Sequence, residues 1–395
     1  MNSDNNKKLT HVAGTFLIQA DGAFLNGAGI DRNREDKNTS IPKSYRDGVG
    51  NRVPYVSAQA WRRWLRNTFI EETGWPASEL RAIDLSKKGT TNKIAGELNP
   101  VEFPEDDIFG YMWATKGQGR EGGLTTDDVD KSDEEFNPGR VKALMRSSPF
   151  VTSLLVSIRR KGWEGVDKGF VHLKEGTPLP YNTEFFNTHL QGVFCLDYSR
   201  LGVFWNLGDR IEIDEEKAAN FLSQGKIRVI RDEGKLGKVY EMTDAAERRK
   251  ERAAALFRSL AILRGGAKQA QFGTDIAPKI LVLAGLTCGN PIFNHLFKDD
   301  NDGPVFKIET FKEVIMDYAD RITTPILIGI RSGYLKNEAD VRSLNGWYQV
   351  VVDSSDLNIA KLDGPFQEKN KEGHSIEIKV VTPIEVARGI GELLL

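Results

Sequence analysis

Cysteine is nearly absent from this chain, with two in 395 residues, Cys195 and Cys288. Two thiols so far apart make neither a disulfide framework nor a zinc spacing, and they suit a reduced cytoplasm. No apolar run approaches the ~20 residues that cross a bilayer. The opening MNSDNNKKLT lacks an apolar signal core, so a cytoplasmic protein with no membrane partner is expected. There is little net charge: 54 Lys and Arg against 56 Asp and Glu leave −2. A whole-surface affinity for a polyanion is therefore excluded, and any such binding requires local polarisation.

Catalytic signatures are missing as well. There is no Walker A segment and no HExxH, and the five histidines (11, 172, 189, 295 and 374) are scattered. One literal G-x-G-x-x-G, at 117–123, follows no strand and opens no helix, which argues against a dinucleotide site. Cys195 lies in an apolar strand pattern and reads as a small core residue rather than a nucleophile. No residue constellation demands a metal, a cofactor or a reaction, and a binding protein is expected.

What is present is charge segregation. Residues 26–66 carry nine Lys or Arg (32, 34, 37, 43, 46, 52, 62, 63 and 66) against four acids, a local +5. Residues 97–137 carry twelve acids against three bases, a local −9. The acidic run TTDDVDKSDEEF reads as a solvated loop, or as a surface for a basic partner that includes another copy of this chain. The basic block ends in a predicted helix over 57–72. Its Trp61, Trp64, Leu65, Thr68 and Phe69 form an apolar stripe, and Gln59, Arg62, Arg63 and Arg66 form a polar one. Ser57 is placed to cap that helix. A capped helix start beside guanidinium groups suits phosphates.

The remaining pattern predicts a strand at 11–20, a core strand within 141–158, a strand or strand pair at 192–206 and a helix over 244–263, stopped by Gly265-Gly266. Beyond these come a buried strand at 280–286, a helix at 308–321, a strand at 325–330 and a closing helix at 383–394. This order predicts an α+β fold, a ferredoxin-like or RRM-like βαββαβ domain with large insertions. The aromatic signature of ordinary RNA-recognition motifs is absent, so base stacking on the sheet face is not expected. Residues 159–188 are charged, Gly/Pro-punctuated and sprinkled with aromatics, which predicts a projecting hairpin. Phe170, Leu173 and Leu179 are its candidates for wedging between bases or for packing a minicore.

Three blocks together resemble the repeated backbone subunit of type I CRISPR surveillance complexes (Cascade), in the RAMP superfamily, with the type I-B DevR-like branch as the nearest-looking subgroup. The first is the Asn26 loop leading to Ser57, Gln59, Arg62, Arg63 and Arg66. The second is DIFGYM at 107–112. The third is the 247–263 helix with GGAKQ at 265–269. The resemblance implies a palm (1–74, 139–158 and 189–395), a fingers insertion (75–138) and a thumb hairpin (159–188). It implies copies stacked along a guide RNA, with other Cascade subunits as neighbours and target DNA engaged through the guide. RNA contacts are then expected from Asn26, Arg32, Lys43, Arg46, Ser57, Gln59, Arg62, Arg63, Arg66, Arg146, Lys268 and Gln269, with Phe170, Leu173 and Leu179 as the base wedge. Backbone contacts accept any guide, and base pairing reads the target. No catalytic role is expected. The alternatives are a type III-like endoribonuclease using Asp31 with a divalent metal, or a stand-alone RNA-binding regulator.

Overall fold

The structure is a computed structural model that describes residues 8–30, 38–79, 81–85, 91–113, 144–171, 173–177, 179–300, 302–352, 357–362 and 373–394. The chain divides into two units, one of residues 1–75, 150–199 and 246–395, the other of 76–149 and 200–245.

The first unit begins with β1 (His11–Ala23), a strand buried on both faces. A small hairpin, β2 (Ser44–Arg46) and β3 (Arg52–Val56), leads into α1 (Ala58–Thr73). The helix starts where Ser57, in extended conformation, accepts a hydrogen bond from the Ala60 N–H at 3.4 Å. It stops at Gly74, which adopts φ 61° and donates to Ile70, as a left-handed C-terminal residue allows. Its apolar stripe turns inward: Trp61, Leu65 and Phe69 are buried, each contributing about 1.5–3 kcal/mol of transfer free energy.

After the second unit's first segment come β4 (Phe150–Thr152), β5 (Leu155–Ser157), β6 (Glu164–Val171) and β7 (Leu179–Asp197). After its second segment come α2 (Ala245–Ala261), β8 (Ile280–Leu286), α3 (Ile308–Tyr318), β9 (Ile326–Ile330), β10 (Gly346–Val352), β11 (Leu357–Leu362), β12 (His374–Val381) and α4 (Pro383–Leu393). The main sheet runs β11-β10-β12-β9-β8-β1-β7-β5-β3-β2. At its centre lie β8, β1, β7 and β5, every neighbour antiparallel. In chain order these are the fourth, first, third and second strands, with α1 between first and second and α2 between third and fourth. Both helices cover one face: Trp61 of α1 packs edge-on against Phe16 (5.4 Å between centroids), and Phe257 of α2 meets Phe194 (5.9 Å). The opposite face, with Ala13, Leu17 and Val282, is buried against Phe311, Ile328 and Ile378.

The 19-residue β7 organises this unit. It faces β1 along one half and extends as a ribbon with β6 along the other, from Phe186 opposite Glu164 to Leu179 opposite Val171. Four cross-strand pairs along it combine an aromatic ring with a glycine: Phe194 with Gly14, Phe16 with Gly192, Phe185 with Gly165, and Tyr181 with Gly169. A methyl group at any of these glycines would come closer than 3.0 Å to the opposing ring. Each ring therefore lies across the bare backbone of its partner, which replaces the packing the glycine lacks.

The second unit holds a six-stranded sheet, ordered Ile227–Asp232, Gly237–Met242, Val203–Leu207, Arg210–Ile211, Leu144–Arg146, Tyr111–Trp113. Phe204, Ile213, Phe221 and Ile227 are in its core. The helix Glu215–Ser223 starts at Asp214, whose side chain accepts from the Glu216 and Lys217 amides.

Two expected strands are divided between the units. The 141–158 segment is interrupted at Pro149, which lacks an N–H. Leu144–Arg146 joins the second sheet, and β4 and β5 join the first. The 192–206 segment breaks at a 3-10 turn (Tyr198–Arg200) and at Gly202 with φ 69°, so Val203–Leu207 leaves the main sheet. Residues 200–245, expected within the palm, belong to the second unit with 76–149.

Candidate nucleic-acid interface

Asn26 organises the basic block through both its side chain and its backbone. Its side-chain oxygen accepts from the Ser57 N–H at 3.1 Å, fixing the start of α1. Its backbone carbonyl accepts from the Lys43 N–H at 2.8 Å, and the Lys43 carbonyl accepts from Tyr55 at 3.0 Å. The first turn of α1 contains no acidic residue, so no carboxylate competes for the positive end of this 16-residue helix.

A segment about 240 positions later in the sequence closes onto the same place. The Ala267 N–H donates to the Leu25 carbonyl at 2.9 Å. Gly266 (φ 107°) lies so near Leu25, and Gly265 (φ 138°) so near Trp64, that a side chain at either would collide. Lys268 follows with φ 51°. Its ammonium donates to the Thr183 hydroxyl at 2.6 Å and sits 4.9 Å from the centre of the Phe24 ring. Partial burial pushes its pKa down, with Asp167 opposing. The Gln269 side chain donates back to the Gly265 carbonyl and holds the turn closed. Asn26, Lys43, Ser57 and Lys268, drawn from four segments, therefore form one connected neighbourhood.

The polar stripe of α1 divides. Gln59 and Arg63 are exposed, and Arg66 is half-buried. Arg62 is half-buried, donates to the Phe150 carbonyl and has its pKa lowered by burial. It anchors the helix to β4, so the stripe is not uniformly a solvent face. Arg46 is exposed and donates to Gly50 at 2.9 Å across its own hairpin. Arg52, also of the basic block, is turned to the protein itself: it pairs with Glu184 at 2.7 Å and lies 5.2 Å from the centre of the Trp163 ring. Arg32 and Asp31 lie outside the described residues, as does the 117–123 glycine motif.

Arg146 is a correction. It was expected at the RNA surface but is 1% exposed. Its guanidinium binds the Asp107 carboxylate, the Glu212 carboxylate at 3.0 Å, and the carbonyls of Val203 (2.9 Å) and Arg200 (3.1 Å). Arg200 and Arg210 approach Glu212 as well. A buried charge needs this density of partners, which makes Arg146 an internal tie of the second unit. The DIFGYM block has the same structural role. Asp107 holds Arg146, Ile108 is core, Gly110 (φ 69°) lies against the Arg146 backbone, and the Tyr111 hydroxyl donates to the Glu212 carbonyl.

The β6–β7 ribbon exposes Phe170 (61%), Leu173 (52%) and Leu179 (52%). All three therefore present apolar surface to solvent. Cys195 is buried and its thiol is pushed up to about 12, as befits a core residue.

No protein-family model matches this sequence, and no curated protein matches it. Among solved structures, a chain of a "CRISPR RNA-guided surveillance complex, pre-nicking" aligns over 98% of this chain and 100% of its own, with 11% identity and a TM-score of 0.45. A chain of a "CRISPR RNA-guided surveillance complex" aligns over 82% of this chain and 90% of its own, with 13% identity and a TM-score of 0.39.

Proposed function

We propose that this chain binds a guide RNA without reading its sequence, and that copies assemble along that RNA as the backbone of a CRISPR surveillance complex. The observation that carries this reading is the convergence of Asn26, Lys43, the start of α1 and Lys268. The Asn26 side-chain amide, the Ser57 hydroxyl, the start of α1 and the Lys268 ammonium belong to that neighbourhood, and such groups hold phosphates while remaining indifferent to the bases. The strand order fourth-first-third-second, with both helices on one face, supports a ferredoxin-like palm. The apolar tip of the β6–β7 ribbon supports a thumb that wedges between bases, since unstacking needs an apolar insert to offset a cost of a few kcal/mol. No chemical step is assigned to the subunit, and other complex subunits and guide-paired DNA are its further partners.

The test is fluorescence anisotropy with single-stranded RNAs of unrelated sequence and equal length. Affinities should agree within about threefold, because phosphate contacts carry no sequence information, and should fall steeply with salt. An affinity that follows base sequence, or no measurable RNA binding, would overturn this reading.

A further inference from the structure

The β2–β3 hairpin carries an aromatic ring that neither the core nor the Asn26 neighbourhood accounts for. Tyr45 lies at the middle of β2, opposite Val53, and is 39% exposed. β2 is the terminal strand of the main sheet's path, so the ring stands at an edge. It rests against Tyr55, with centroids 6.0 Å apart and planes tilted by 56°. Its hydroxyl is reached by Arg160 at 3.4 Å.

The surroundings are cationic. Arg46, Arg160 and Lys161 are all exposed. The only acid between 44 and 56 is Asp47, whose carboxylate accepts from the Val49 and Asn51 amides at 3.1 and 2.8 Å and lies within electrostatic reach of Arg160, leaving Arg46 and Lys161 in excess. The segment that carries Arg160 and Lys161 is tied to the hairpin, because Trp163 donates to the Arg52 carbonyl at 2.9 Å. Two residues before Tyr45, Lys43 joins the Asn26 neighbourhood through its backbone.

We propose that Tyr45 is a stacking platform for an unpaired base or ribose of the bound RNA, with Arg46, Arg160 and Lys161 receiving the adjoining phosphates. This rests on the RNA-binding reading above and adds a ring contact to what is otherwise backbone recognition. The chemistry follows from the arrangement. Every base has a π-face, so stacking is tolerant of sequence and compatible with a guide of any content. Cations beside an exposed ring bring in the polyanion that delivers the base. A paired duplex would bury the base faces and could not use the platform, so the ligand is single-stranded at this point.

The test uses the full-length protein with RNA carrying 5-iodouridine at successive positions, photocrosslinked and mapped by mass spectrometry. Crosslinks to Tyr45 are expected. In parallel, Tyr45→Leu keeps apolar bulk against Tyr55 but removes the π-face, and should weaken RNA binding on the order of fivefold or more. Tyr45→Trp should retain or improve affinity. A Tyr45→Leu protein that binds like the parent, with crosslinks only elsewhere, would overturn the proposal while leaving RNA binding intact. Parent protein that binds no RNA would instead overturn the functional reading beneath it. Should Tyr45→Leu melt early, the crosslink map of the parent decides alone.

Discussion

Replacing Arg146 with methionine should destabilise the second unit by about 3–5 kcal/mol, the usual cost of removing one partner from a buried ion pair. The side chain is fully enclosed, and its removal strands Asp107 without its guanidinium. Asp107 would keep the Gly202 N–H at 3.0 Å, and Glu212 would keep Arg200 and Arg210. The residual partners explain why the penalty should not exceed that range. Urea titration followed by tryptophan fluorescence is the check, because Trp205 stacks on the same cluster, 4.9 Å from Arg200 and 4.6 Å from Arg210. An earlier transition in the fluorescence is expected, and the variant Trp205→Phe identifies the share that Trp205 contributes. Unchanged stability with abolished RNA binding would return Arg146 to the interface.

The double substitution Lys43→Ala, Arg63→Ala should weaken RNA binding roughly tenfold for each phosphate that the variant no longer holds. It should also flatten the plot of log affinity against log salt by ~1.4, the single-strand value for two phosphates. Lys43 holds its place through backbone bonds that alanine preserves, and Arg63 is exposed on α1, so folding should be unaffected. The same experiment at Arg62 would be ambiguous, because its guanidinium also fastens α1 to Phe150. Equal salt slopes for parent and variant would remove both residues from the phosphate-binding set.

Local pattern carried far into this fold. The apolar stripe of α1, its Ser57 cap and the wholly buried β8 were all readable, because each depends on periodicity or on one residue's backbone preference; Gly265-Gly266, expected to stop α2, instead follow its end at Ala261 by several residues and allow close approach to Trp64 and Leu25. The length of β7 was not readable. Its outer half is rich in polar residues, and the glycines facing it look like loop punctuation until the opposing rings are known. Arg146 was misread for a related reason. Its surface role was expected from the resemblance alone, and the carboxylate that holds it inside is 39 positions earlier in the sequence. The second unit was half seen, since 200–245 pairs with strands that precede it by a whole domain segment. The site followed the same rule: Ser57 and the α1 cations came from local sequence, whereas the closure of Lys268 onto Phe24 and Thr183 required the fold.

The central claim is that many copies share one RNA, and light scattering after size exclusion tests it most directly. The protein should be mixed with RNAs of increasing length and its mass followed. Mass should rise in whole protomer steps of 44.1 kDa as the RNA lengthens, with nuclease returning the complexes to smaller species. One protomer per RNA at every length would contradict it.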